Sequence, residues 1–265
     1  MSVDIELIAN LEWINYAASQ AIIDRTPDLA LTMRNDLILT SSQSFPAPDT
    51  THACLLRATP QLVEALLDEV TDYFQSGNLP PTVYLSPACA PTDLPDRLES
   101  RGFERQPGEE AWLMLEGVAD VLIPPAMPGF RVQAVTAEDV LAFARVFLTA
   151  FGMPSEFAPY LADLLAPSVD VPGVYHYLAW AGDEPVGTCS LICYQDYGIL
   201  GSVGVLPAFR QSGAATNLAI AAGNQAKTSG VNTAILQTTA DTFLEQVLRM
   251  YGFRRVFTRI CYTLS

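Results

Sequence analysis

Between Ser202 and Leu218 the chain reads Ser-Val-Gly-Val-Leu-Pro-Ala-Phe-Arg-Gln-Ser-Gly-Ala-Ala-Thr-Asn-Leu, and these residue types at this spacing suit the binding of an anion. An apolar run ends at Pro207, which has no N–H for a central ladder, and Arg210, Ser212 and Gly213 then lead into an alanine-rich segment. The expected order is strand, loop, helix. The first N–H groups of a helix lack intrahelical acceptors and sit at the positive end of its dipole, and the small residues at 212 to 215 leave them uncovered. A phosphate group fits there. The sequence contains neither the P-loop pattern GxxxxGK followed by Ser or Thr nor the GxGxxG of dinucleotide-binding folds.

The rest of the chain must position that loop. Its 265 residues, half of them hydrophobic, are enough for one large domain or two small ones. No apolar run is long enough to span a membrane, and Met1-Ser2-Val3-Asp4-Ile5-Glu6 has no basic n-region, so the expectation is a cytoplasmic protein with no membrane partner. Net charge is −15, and residues 1–120 carry 19 acids against 6 bases while residues 121–265 carry 10 against 8. Such a surface argues against nucleic acid and suits a cationic substrate such as an amine. The five cysteines are scattered, and Cys189 and Cys193 alone are close, with no second pair or nearby His, so no metal is expected and buried free thiols are.

Apolar spacing predicts helices over residues 5–24, 61–74, 94–100, 137–147, 155–165, the alanine-rich stretch to Gly230, and 241–250. Short strands fill the intervals, and Gly182-Asp183-Glu184-Pro185 reads as a hairpin turn between residues 174–180 and 186–194. The Pro-rich stretch between Val118 and Gly129 reads as a linker.

From Phe130 onward the order is β, α, α, β, β, β, α, β, α, β. Together with Val205-Leu206-Pro207 and the Arg210-Gln211-Ser212-Gly213-Ala214-Ala215 run, this resembles the GNAT superfamily of N-acyltransferases. The family motif for the acyl-CoA diphosphate is Gln or Arg, two residues, Gly, one residue, then Gly or Ala, after a strand ending in V-x-P. Gly252-Phe253 matches the family's turn into its last strand, and the same dipeptide stands at Gly102-Phe103. Aligning the halves on it gives the first a GNAT-like order too, but only Arg57-Ala58-Thr59-Pro60-Gln61 where the anion loop should be. The resemblance implies an α+β fold with a mixed, mostly antiparallel sheet flanked by helices, in two tandem copies. Residues 1–118 would be a degenerate GNAT-like domain, 119–129 a linker and 130–265 the acyltransferase domain. An unrelated α+β cap is the alternative for the first half.

The resemblance further implies acetyl-CoA as co-substrate. Its diphosphate would lie at Arg210, Gln211, Ser212, Gly213, Ala214, Ala215 and Thr216, and its pantetheine arm beside Val203, Gly204 and Val205. Gly204 suits a bulge. The reaction implied is transfer of an acetyl or other acyl group to a primary amine, with proximity and backbone donors carrying most of the chemistry. The tyrosine that many relatives use to protonate the leaving thiolate falls at Leu248 here, so Tyr251, three residues on, is the candidate acid. No carboxylate stands between Asp196 and Asp241. Asp196 is the candidate base, with Tyr194, Tyr197, His176, Glu156 or a bound water as alternatives. Leu248 and the missing carboxylates equally suit a silent acyl-CoA-binding or regulatory module. An oligomer is compatible with either reading.

Overall fold

The computed structural model describes residues 4–264, so Met1–Val3 and Ser265, which the sequence division places in the two domains, lie outside the described residues. In chain order the elements are α1 (Ile5–Ile23), β1 (Leu29–Arg34), β2 (Leu37–Ser42), β3 (His52–Cys54), α2 (Val63–Ser76), β4 (Thr82–Leu85), α3 (Leu94–Ser100), β5 (Glu104–Arg105) and β6 (Glu110–Glu116). There follow β7 (Arg131–Ala134), α4 (Val140–Ala150), α5 (Ala158–Leu165), β8 (Val174–Ala181), β9 (Glu184–Tyr194), β10 (Tyr197–Val205), α6 (Ala214–Thr228), β11 (Thr233–Thr239), α7 (Phe243–Met250) and β12 (Arg254–Thr263). The pattern of expected elements is present throughout, with α7 starting two residues later than the periodicity suggests. Thr242 caps it, accepting a hydrogen bond from the Glu245 N–H.

Two compact units form, and they do not follow the sequence division. The first holds the chain up to Ile23, Pro27–Leu113 and everything from Gln237 on; the second holds Asp24–Thr26 and Met114–Leu236. The tail leaves its sequence neighbours because β12 is a strand of the first unit's sheet. Ile260, Cys261, Tyr262 and Thr263 pair antiparallel with Leu85, Tyr84, Val83 and Thr82 of β4.

In the first unit the strand order is β1-β2-β3-β4-β12-β6, with β1–β2, β2–β3 and β4–β12 antiparallel and β3 parallel to β4. Leu66, Leu67, Val70 and Phe74 of α2, spaced to fall on one face, pack with Leu37, Leu39, Val83 and Leu98 into its apolar core. A second, polar centre is buried beside it. Arg259 on β12 lies over the rings of Tyr84 and Trp112, at 4.4 and 4.8 Å, and donates to Glu110 (2.9 Å), the Tyr16 hydroxyl (3.0 Å) and Glu12 (3.5 Å). Burial pushes the Glu12 carboxyl above its ordinary range in spite of the arginine, while its acidic neighbours keep Arg259 firmly protonated. The His52 ring completes the cluster: Nδ1 donates to the Pro48 carbonyl, so Nε2 accepts from Tyr16. Burial takes the His52 pKa down to about 3.

In the second unit the order is β11-β10-β9-β8-β7, with only β10 and β11 parallel. Phe143 and Val146 of α4 pack on Leu178 and Val135 at the β7–β8 end, and α6 covers the sheet with Leu218, Ala222 and Ala226. Among the described residues no helix is long and apolar enough to cross a membrane, and no group of His, Cys, Asp and Glu could hold a metal ion.

The two halves of the sequence repeat one another at the level of single backbone turns. Leu55, just past β3, and Ser202, inside β10, have φ +51° and +52°, and each precedes a proline by five residues, Pro60 and Pro207. The helices after them both end in a left-handed residue, Asn78 and Gly230, followed by a bond from Leu79 to Phe74 or from Val231 to Ala226. Gly102 and Gly252, at φ +87° and +95°, likewise lead to bonds from Phe103 to Leu98 and from Phe253 to Leu248.

Candidate anion and acyl-donor site

The site is built where β10 loses its neighbour. β10 pairs parallel with β11 from Tyr197↔Thr233 to Leu200↔Leu236, and there the register ends. From Gly201 to Val205 the strand keeps its β9 partners, with one extra residue: Gly201 faces Ser190 but Gly204 faces Thr188. This is the expected bulge. Ser202 takes the left-handed φ, its carbonyl accepts from Thr188 Oγ1 at 2.7 Å, and Val203 is turned out to 40% exposure. Gly204 is required by its surroundings, because a Cβ there would lie 2.9 Å from Ala150 Cβ and 3.0 Å from the Phe151 ring.

Past Val205 the chain makes a short turn over Pro207–Phe209 and enters α6 through Gln211 at φ +62° and Gly213 at φ +102°. Gly213 occupies the helix N-cap without any side-chain cap. The N–H groups of Gly213, Ala214, Ala215 and Thr216 have no acceptor among the described residues, and the first turn carries no acidic side chain. Four donors thus converge at the positive end of a 15-residue helix, bordered by methyl groups. An anion fits this arrangement.

Two expected anion ligands do other work in the structure. Arg210 donates from Nη2 to the Ala150 carbonyl at 2.9 Å and from Nε to the Val205 carbonyl at 3.5 Å, tying the end of α4 to the loop. The Ser212 hydroxyl donates to the Phe209 carbonyl and so braces the turn. Phe151, 49% exposed and tilted against Phe147 with ring centroids 4.7 Å apart, stands beside the bulge. Neither Phe151 nor Thr188 was legible as a site residue, since both read as ordinary positions of an apolar helix and an alternating strand.

The candidate catalytic groups are placed less favourably. Asp196 lies in the β9–β10 turn, nine residues before Val205 and about 30 Å along the strand from the loop. Its carbonyl accepts from the N–H groups of Asn232 and Thr233, a turn role. Tyr251 caps α7 in the first unit, 58% exposed. Leu248 is half-buried and accepts backbone bonds from Tyr251 and Phe253. His176 is a core residue. Ser168 gives its proton to the Leu165 carbonyl, so His176 Nε2 donates to Ser168, and Nδ1 accepts from Ser190, both at 2.7 Å. Burial lowers its pKa to about 4. An open cleft of about 510 Å³ between the Arg105–Glu109 turn and Asp241 belongs to the first unit and shares no residue with the loop.

This geometry agrees with sequence and structure comparison. The model of the acetyltransferase (GNAT) family matches residues 140–253. Over these residues the chain is similar to the GNAT family.

The GNAT fold extends over the rest of the chain as well. A GCN5-related N-acetyltransferase from Kribbella flavida superposes with a TM-score of 0.68 at 18% identity, covering 93% of this chain and 95% of its own. A tandem GNAT protein from the clavulanic acid biosynthesis pathway gives 0.61 at 13% identity, covering 94% and 86%. A GCN5-related N-acetyltransferase from Sphaerobacter thermophilus gives 0.57 at 18%, covering 94% and 90%. No curated protein matches the sequence. At these identities the likeness is one of fold. The GNAT match runs across both compact units, taking in the anion loop of the second and α7 of the first.

Proposed function

We propose that the protein is an acyl-CoA-dependent N-acyltransferase, with acetyl-CoA as donor and a primary amine as acceptor. The observation that carries this is the row of four unclaimed N–H groups at Gly213–Thr216, directly after a bulged strand that has lost its neighbour. The donor supplies a thioester carbonyl open to attack by an amine.

This chain's residues would bind and orient it. Gln211 and the N–H groups from Gly213 to Thr216 hold the diphosphate, and the backbone from Val203 to Val205 takes the pantetheine arm as an added strand. Arg210 acts through the loop, fixing the Ala150 carbonyl and hence the wall that Phe151 forms beside the bulge. Held reactants need little further chemical assistance, which fits a site without a nearby carboxylate. Tyr251, the candidate acid, belongs to the first unit, and no step is assigned to it. Asp196 takes no part in this reading. Residues 1–118 are read as a second, degenerate GNAT copy, on the strength of the repeated turns at Leu55 and Ser202, Asn78 and Gly230, and Gly102 and Gly252.

The test is melting with and without acetyl-CoA, followed by an assay of thiol release against a panel of amines. A ligand that binds the native state alone raises the melting temperature by mass action. A rise with acetyl-CoA and amine-dependent thiol release support the enzyme. Because Leu248 stands at the usual acid position, a second reading is kept: a silent acyl-CoA-binding module would show the rise and no thiol release with any amine.

A further inference from the structure

The stretch expected to be a linker is fastened along α6 over most of its length. At one end Lys227 Nζ donates to the carbonyls of Ala119 (2.9 Å) and Val121. In the middle Ile123 fills the notch at Gly223, where a Cβ would come within 3.3 Å of its Cδ1. At the other end the Asn217 side chain, buried to 4% exposure, grips Met127 from both sides. Its oxygen accepts from the Met127 N–H at 2.7 Å, and its nitrogen donates to the Met127 carbonyl at 2.9 Å. Asn217 lies one turn from Gly213 on the same helix face, so Met127 is set beside the first turn of α6. The Met127 side chain occupies the space a Gly213 side chain would take, 3.1 Å from an ideal Cβ, and is itself 46% exposed.

We propose that residues 119–129 are a strap whose Met127 forms one wall of the anion loop and packs against the adenosine end of the bound acyl-CoA. The proposal rests on the acyl-CoA reading of that loop. Three features point to it. Met127 presents a half-exposed side chain beside the first turn of α6, with its backbone fixed by the buried Asn217 amide. Its thioether is a polarizable surface suited to an aromatic ring. The adjoining donors fix where a diphosphate, and therefore the nucleoside attached to it, must begin. The strap lies outside the matched GNAT segment, residues 140–253.

The test is calorimetric titration of the protein with acetyl-CoA and, in parallel, with acetyl-4′-phosphopantetheine, which keeps one phosphate for the loop and lacks the adenosine with its other two phosphates. Met127→Ala is expected to weaken acetyl-CoA binding roughly three- to tenfold and to leave the shorter ligand unchanged, while Met127→Leu, which restores apolar bulk, stays within about twofold of wild type. Asn217→Ala is expected to raise amide hydrogen exchange across 121–127 and to weaken acetyl-CoA to a similar degree. Equal acetyl-CoA affinity in wild type and Met127→Ala, or an equal loss for both ligands, overturns the strap's role and leaves the loop assignment standing. A wild-type protein with no affinity for either ligand overturns both.

Discussion

In the first unit the chain leaves β3 through Leu55 at φ +51° and reaches Pro60; in the second it passes the β10 bulge through Ser202 at φ +52°, leaves the strand after Val205 and reaches Pro207. After that the two junctions diverge. Helix α2 begins three residues past its proline and α6 seven past its own. In the short version the Thr59 carbonyl accepts from the N–H groups of both Leu62 and Val63, and Glu64 places a carboxylate in the first turn. That acid is already paired with Arg97 and Arg101. In the long version two left-handed residues swing the chain clear, and four N–H groups are left open with no acid among them. Four residues of loop therefore separate a helix start with an acid in its first turn and two N–H groups already taken from one with no acid and four N–H groups open.

What each unit buries differs as well, and this gives the largest expected effect. The first unit's polar centre joins α1, β6 and β12 through Arg259, with Glu12 and Glu110 as its acidic partners. Arg259→Leu leaves those carboxylates buried without a cation and is expected to cost about 3–5 kcal/mol of stability in a denaturant titration. A loss below about 1 kcal/mol would show that the first unit does not depend on this centre.

The chain's two histidines are divided between the units, His52 in the first and His176 in the second, and both are held neutral. Their folded pKa values, about 3 and about 4, lie below the ordinary 6.5, so the unfolded chain binds more protons as pH falls. Stability is complete above about pH 6.5 and is lost as pH drops toward 4. The His176 share is about 3 kcal/mol. In His176→Asn the slope between pH 6.5 and 4 should flatten by about half in urea titrations, since His52 still contributes. An unchanged slope would mean His176 is not buried neutral.

Transferring the first unit's acid to the second sharpens the contrast at the junctions. Ala215→Glu puts a carboxylate in the first turn of α6, where the helix dipole favours it by about 0.3–1 kcal/mol, so the fold should hold or gain. Acetyl-CoA affinity should fall at least about tenfold through like-charge repulsion, and unchanged affinity by calorimetry would place the diphosphate elsewhere. The smallest effect is expected at the bulge. Ser202→Gly removes a left-handed strain of about 1 kcal/mol and should raise the melting temperature slightly. A fall would mean that the serine side chain, not the backbone, holds the bulge.

Much of this contrast could be read in the sequence. The Arg210–Ala215 run, the proline before it and the helix after it are local signals, and local signals survive because capping and φ preferences act within a few residues. Gly102-Phe103 and Gly252-Phe253 were legible for the same reason. The placement of residues 237–265 was not. A strand pairs with whichever neighbour presents a complementary register, and β12, set between β4 and β6, joins residues far apart in sequence. Val118–Gly129 looked like a linker because its prolines exclude helix and strand; the partners that fasten it, Asn217 and Lys227, lie about a hundred residues away. One signal was available, since Asn217 is a polar residue at a core position of an alanine-rich helix. Asp196 misled because turns favour aspartate for backbone reasons.

The most direct test of the central claim, that the β10–α6 junction binds the anionic end of the donor and the β3–α2 junction does not, is an amide chemical-shift titration of labelled protein with acetyl-CoA. The account predicts saturable shifts at Gln211–Thr216 and Val203–Val205, with Leu62, Val63 and Glu64 unmoved. Shifts at 62–64, or none at 211–216 at saturating ligand, would contradict it.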